Sequence, residues 1–230
     1  MNLLMKFPKI ACLVVLIGLE YTASIFPQTA ADTRANTISA QPLPELLARA
    51  KEIDLALSAA PAHLRKGAAV YVLERNGFVK VRDSTNGFTC IVNRDHPLNQ
   101  KPVCFDAEGT ATVLPKILRV GELLMQGKPM SKIDGDIAEG FRTGKYISPR
   151  RLGVAYMLSG DIRNFNPHTG KVESFPPHVM FYAPNLTNAD LGTTPEALAS
   201  DPSLPFIAYE GPHAFIIMLA YSGKQTHMEH

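Results

Sequence analysis

The chain lacks tryptophan, holds three cysteines in 230 residues, and carries charge on only 19% of them. Its net charge of +2 supplies no field strong enough to hold nucleic acid or an anionic membrane surface, so both are excluded as expected partners. Neither Gly-x-x-x-x-Gly-Lys-Ser/Thr nor Gly-x-Gly-x-x-Gly occurs, which removes the phosphate loop and the dinucleotide fingerprint. Gly-x-Ser-x-Gly and Cys-x-x-Cys-His are missing too, and with them the hydrolase elbow and covalent haem. What remains is 46% apolar, a composition that folds into a globular core rather than staying disordered.

Long apolar runs are scarce as well. The one continuous run covers residues 10–19, follows Lys6 and Lys9, and is about ten residues long, half of what spans a bilayer as a helix. Residues 1–31 therefore read as a signal peptide, cleaved after the small residues Thr29-Ala30-Ala31, with Thr22-Ala23-Ser24 as the other available site. The expected setting is secreted or periplasmic, with no stable membrane span after cleavage. Residues 32–42 read as a flexible mature N-terminus, residues 43–221 as a single α+β domain, and residues 222–230 as a polar tail.

Cleavage removes Cys12 and leaves Cys90 and Cys104. An even pair in an exported chain predicts a disulfide, and closing a loop of this size contributes on the order of 3 kcal/mol.

Along the domain, apolar residues at 43, 46, 47, 50, 53 and 57 predict an amphipathic helix over 43–57. Three strand-like runs follow, separated by Asn76-Gly77 and Asn86-Gly87. Asn-Gly between such runs signals hairpins, so a three-stranded antiparallel meander is expected, with residues 78–82 as its middle strand. Residues 93–109, with Pro97 and Pro102, read as a loop. Two helices are predicted next, over 114–126 and over 132–143, the second capped by Ser131. A second group of strands completes a mostly antiparallel sheet: residues 154–158, a short edge segment at 172–175, and two runs each preceded by a Pro-His pair.

Those two runs organise the functional reading. Pro177-His178 stands before residues 179–183 and Pro212-His213 before residues 214–220; both read as buried central strands. Parallel neighbours would bring both imidazoles to one end of the sheet, whereas antiparallel neighbours would put them at opposite ends. With Glu210 as the nearest carboxylate, His178 and His213 make a candidate Zn²⁺ set with one position open for water, the basis of a metal-dependent hydrolase. Arg150 and Arg151, in the most basic stretch of the chain, are the candidate anion-binding residues. The other functional class is a non-enzymatic domain that binds a small molecule or a protein. Its pocket walls would come from Tyr71, Phe78, Phe88, Tyr156, Phe181, Tyr182 and Phe215. Of the two, binding is the leading expectation and the hydrolase the alternative.

The segments at 85–90, 150–159 and 177–185 together resemble a family of exported bacterial proteins of no assigned activity. That resemblance implies a bacterial, exported setting and supplies no reaction, substrate or cofactor.

Overall fold

The computed structural model describes residues 41–220. The expected signal peptide, most of the expected mature N-terminus and the expected polar tail lie outside the described residues. In chain order the elements are α1 (Arg49–Ser58), α2 (Ala62–Arg65), β1 (Ala69–Glu74), β2 (Gly77–Arg82), β3 (Thr89–Asn93), β4 (Lys101–Phe105), α3 (Ala107–Thr112), α4 (Leu114–Met125) and α5 (Met130–Arg142). They continue with β5 (Val154–Met157), β6 (Asn164–Asn166), β7 (Lys171–Glu173), β8 (His178–Tyr182), α6 (Pro195–Ser200), β9 (Phe206–Ile207) and β10 (Phe215–Leu219). An eight-stranded sheet runs in the order β2-β1-β3-β4-β5-β8-β10-β9, and β6 and β7 form a separate hairpin. The fold is α+β, and every pairing in the large sheet is antiparallel except β1 with β3.

That exception corrects the expected meander. The first hairpin forms, turning through Arg75 and Asn76, with Gly77 at φ 114°, a backbone angle that glycine accepts without a Cβ clash. The second Asn-Gly makes no hairpin. Asn86 donates from its side chain to the Leu64 carbonyl at 2.8 Å, and the Thr85 N–H donates to the Gly67 carbonyl at 2.8 Å. These bonds draw the 83–88 loop over the start of β1, so β3 lands on the far side of β1 with Val70 opposite Cys90. The strand expected in the middle, β2, is the sheet edge, where Val79 is exposed.

A second correction concerns residues 101–105, expected in a loop and found as β4, buried along its length between β3 and β5. Pro102 is tolerated there for a backbone reason. Gln100 exchanges both of its backbone bonds with Arg163, on the β5 side of the strand. Alternate residues aim their backbone groups the same way, so Pro102 faces that side too. Pairing of β4 with β5 starts only at Cys104, and the missing N–H falls in the gap before it.

Helices cover both faces. On one face α1 lies across β1, β3 and β4, and Ala56, Ala59 and Ala60 pack with Val70, Val72, Val92 and the two cysteines. The helix starts at Arg49 rather than Leu43, leaving Leu46 and Leu47 ahead of it against a cleft of about 480 Å³. On the other face α3 and α4 supply Val113, Leu114 and Ile117 to a cluster with Ile91, Val103, Phe105, Ala155 and Met180. Helix α3 was not anticipated: Asp106 caps it by accepting from the Gly109 N–H at 2.9 Å. Helix α5 begins after Pro129 with no side-chain cap, so Ser131 does not serve as one. Cys90 and Cys104 face each other directly across β3 and β4 and are disulfide-bonded, with Cα atoms 4.0 Å apart.

Candidate functional site

Strands β8 and β10 are antiparallel neighbours, with His178 opposite Leu219 and Tyr182 opposite Phe215. His178 thus stands at one end of the pair, while His213 precedes the other end. The six residue steps from 213 to 219 correspond to roughly 20 Å of strand rise. Each ring has its own structural partner. The His178 Nδ1–H donates to the Pro176 carbonyl at 2.9 Å beside the Phe175 ring, and burial holds its pKa below the usual histidine value. The His213 Nε2–H donates to the Ile147 carbonyl at 2.9 Å, with Phe141 edge-on at 4.8 Å. Burial brings His213 down to about 4, against the opposing effect of the Ile147 bond. Glu210 is exposed on the loop ahead of His213. The three expected Zn²⁺ ligands are therefore not brought together, and among the described residues no three His, Cys, Asp or Glu side chains group around a metal position. Antiparallel pairing separates the two histidines that parallel neighbours would have brought to one end of the sheet.

The arginines are arranged differently. Both reach Glu108, a buried carboxylate in the first turn of α3 that the sequence reading missed because its segment was taken for a loop. The Arg150 backbone N–H donates to Glu108 Oε1 at 2.8 Å, Arg150 Nε lies 3.5 Å from the same oxygen, and Arg151 Nε lies 3.2 Å from Oε2. The Arg150 backbone bond, with the two guanidinium charges behind it, keeps the Glu108 carboxyl below the usual range. The Arg150 Nε contact is a long hydrogen bond and the Arg151 contact an ion pair, and both side chains are largely exposed, at 67% and 68%.

Next to this cluster is a polar hub that ties three strands together. The Tyr182 hydroxyl donates to Asp106 Oδ1 at 2.8 Å and lies 3.1 Å from the Val154 carbonyl, while the Val154 N–H donates to Asp106 Oδ2 at 3.0 Å. Burial and the neighbouring Asp106 carboxylate hold the Tyr182 phenol protonated, well above its ordinary pKa. A Cβ on Gly109 would lie 2.0 Å from the Tyr182 hydroxyl, so glycine is required there by close approach rather than by backbone angle. The arginine pair is consequently mounted on a rigid corner, where β4 ends and β5 begins.

The remaining surface of note lies on the α1 side of the sheet, beyond the strands that α1 covers. Val154, Phe181 and Ile216 stand opposite one another on β5, β8 and β10; in the next row on the same face stand Tyr156, Val179 and Met218. None of the six is fully buried; Tyr156 packs against the α1 cluster and Ile216 against Ala183, Ile207 and Ala214, and Met218 is 44% exposed. Their partners along each strand, such as Ala155, Met180 and Tyr182, point to the opposite face and are buried. The sheet thus divides the aromatic residues expected to form one pocket: Tyr156 and Phe181 lie on this open face with Phe88 beside Tyr156, whereas Tyr71, Phe78, Tyr182 and Phe215 belong to the core of the other.

Comparison with protein-family models, with curated proteins and with solved structures gave no match. Functional argument therefore rests on the chemistry of these surfaces. Among the described residues no helix is long and apolar enough to cross a membrane.

Proposed function

We propose that the domain is a non-enzymatic binding module of an exported protein, taking an apolar small molecule on the open face of β5, β8 and β10. The observation that carries this reading is the two-by-three grid of Val154, Phe181, Ile216, Tyr156, Val179 and Met218, apolar side chains on one face of neighbouring strands, none fully buried and Met218 44% exposed. An alternating strand pays for solvent contact when its outward residues are apolar, and such a patch marks a surface that something covers. Its dimensions favour a small ligand. Two rows across three strands span roughly 7 by 10 Å between Cα positions, far short of the ~800 Å² per partner of a stable protein interface. The disulfide between two wholly buried cysteines and the short apolar run at residues 10–19 support the exported setting.

Titration calorimetry of the full chain with n-decanol tests the reading. Decanol is expected to bind, and Met218→Asp, at a position 44% exposed, is expected to abolish binding while leaving the urea midpoint close to that of the unaltered protein. Absence of decanol binding, or binding that Met218→Asp leaves intact, refutes it.

A further inference from the structure

Three loops meet at the end of the sheet where β5 starts, β8 ends and β10 starts, because each of these strands runs antiparallel to its neighbour. Hydrogen bonds lace the loops together. The Tyr182 N–H donates to the Gly153 carbonyl at 3.3 Å, the Asn185 N–H donates to the Gly211 carbonyl at 2.8 Å, and the His213 ring donates to the Ile147 carbonyl. They form one platform rather than three independent flaps. On it stand four exposed large apolar side chains: Leu152 at 79%, Tyr209 at 71%, and Ile147 and Leu186 to a smaller degree. Lys145, Arg150 and Arg151 are exposed on the first of these loops. We infer that this end of the domain docks peripherally on an anionic lipid bilayer, its apolar side chains entering the headgroup layer and its cations meeting lipid phosphates.

Single exposed apolar residues are ordinary, but four gathered at one end of a molecule mark a contact surface. Their chemistry suits the boundary between water and hydrocarbon: tyrosine and the long basic side chains each join an apolar body to a polar tip. Charge points the same way. Over residues 145–153, 183–187 and 208–213 the one acidic residue is Glu210, against Lys145, Arg150 and Arg151. Glu108, which the arginines approach, is only 5% exposed. Each cation held near an anionic bilayer contributes about a fivefold gain in binding. The net charge of +2, on which an anionic membrane was excluded from the sequence, averages over the whole chain and does not register a surplus confined to one end. A bilayer also fits the form of the surface. The apolar side chains project from three separate loops, and a fluid headgroup layer adapts to separate projections as a rigid protein partner does not.

The test is hydrogen–deuterium exchange of the full chain, read by mass spectrometry with and without vesicles. Vesicles of phosphatidylcholine with phosphatidylglycerol are expected to slow exchange over residues 145–153 and 208–211, and vesicles of phosphatidylcholine alone to slow it far less. Because exchange is read segment by segment, lipid contact made by the apolar run at residues 10–19 is not mistaken for contact by the loops. Arg150→Gln with Arg151→Gln is expected to raise the lipid concentration for half-maximal protection about tenfold or more. Leu152→Ser with Tyr209→Ser should do the same, whereas Val79→Ser, at an exposed position on the opposite edge of the sheet, should change nothing. No protection of these segments in the unaltered chain, equal protection by the two kinds of vesicle, or protection that both double variants retain overturns the inference. A concentration-dependent dimer in analytical ultracentrifugation that Leu152→Ser with Tyr209→Ser dissociates assigns the loops to a second copy of the chain and overturns it as well.

Discussion

At the residue scale, the most heavily buried charges belong to Glu52 of α1 and Arg94 after β3. Their side chains are 2% and 0% exposed, and Arg94 Nη2 donates to Glu52 Oε2 at 2.9 Å. Arg94 Nη1 also donates to the Val92 carbonyl at 2.9 Å, but Arg94 Nε and Glu52 Oε1 have no partner among the described residues. Burial pushes the Glu52 carboxyl up and the Arg94 guanidinium down, each opposed by the other's charge. A pair of this kind contributes little net stability, yet removing one member strands the other. Arg94→Ala is therefore expected to cost about 3–5 kcal/mol in urea unfolding. The double variant Glu52→Leu with Arg94→Met should recover most of that loss, and a double variant no more stable than Arg94→Ala would show that the pair is not balanced in this way.

His213 gives the pH counterpart. Its ordinary value of 6.5 falls to about 4 in the fold, chiefly through burial, with the Ile147 bond opposing and the Lys116 charge adding to the fall. A base depressed on folding contributes stability that is whole above the unfolded pKa and is lost as pH falls through the folded one. Stability should thus hold above about pH 6.5 and decline between there and about pH 4. His178, shifted the same way by burial, adds to the decline. In His213→Phe the slope of urea stability against pH over this window is expected to flatten; an unchanged slope would place the effect elsewhere.

At the element scale, the β3–β4 hairpin and the helix above it form the most tightly specified part of the molecule. Alanines 56, 59 and 60 let α1 approach closely enough to bury the disulfide completely. Reduction should then require unfolding: thiol titration of the native protein with reductant is expected to be slow, and to accelerate in urea. Cys90→Ala with Cys104→Ala should lower stability by about 3 kcal/mol, since the separation between the cysteines is 14 residues. On the opposite face α4 meets β2 where Gly121 lies under the Phe78 ring, and an added Cβ would stand 2.3 Å from Phe78 Cε2. Gly121→Ala is accordingly expected to cost about 1–3 kcal/mol by overpacking. Phe78→Leu in the same chain should relieve part of it, and additive losses in a double-mutant cycle would argue against contact between the two.

At the scale of the whole molecule, one sheet carries two differently finished halves. The β1–β3–β4 half is enclosed by helices on both faces, whereas β5, β8 and β10 carry apolar residues on their α1-side face that are only partly covered. Local chemistry along the chain accounts for much of this: the Gly77 turn, the helices near residues 114–125 and 130–142, the cysteine pair and the α+β class all follow from composition, turn residues and helical period. Those signals act over a few residues, so they survive being read one stretch at a time. The partners of each strand do not. Asn86 is the same turn residue whether it closes a hairpin or bonds to Leu64, and only the packed fold makes the second choice, carrying β3 across β1. Likewise Pro-His before an apolar run describes both β8 and β10, but their antiparallel register alone decides that the two imidazoles stand at opposite ends. Glu108 meets Arg150 and Arg151 across some forty residues of chain, a contact with no local signature. Local sequence alone specified the two central helices, the first hairpin turn and the pairing of two cysteines, but not β4 or α3. Tertiary structure decided which side chains share a surface, because that depends on strand order and register, which are set by long-range burial of whole faces rather than by any one residue's preference.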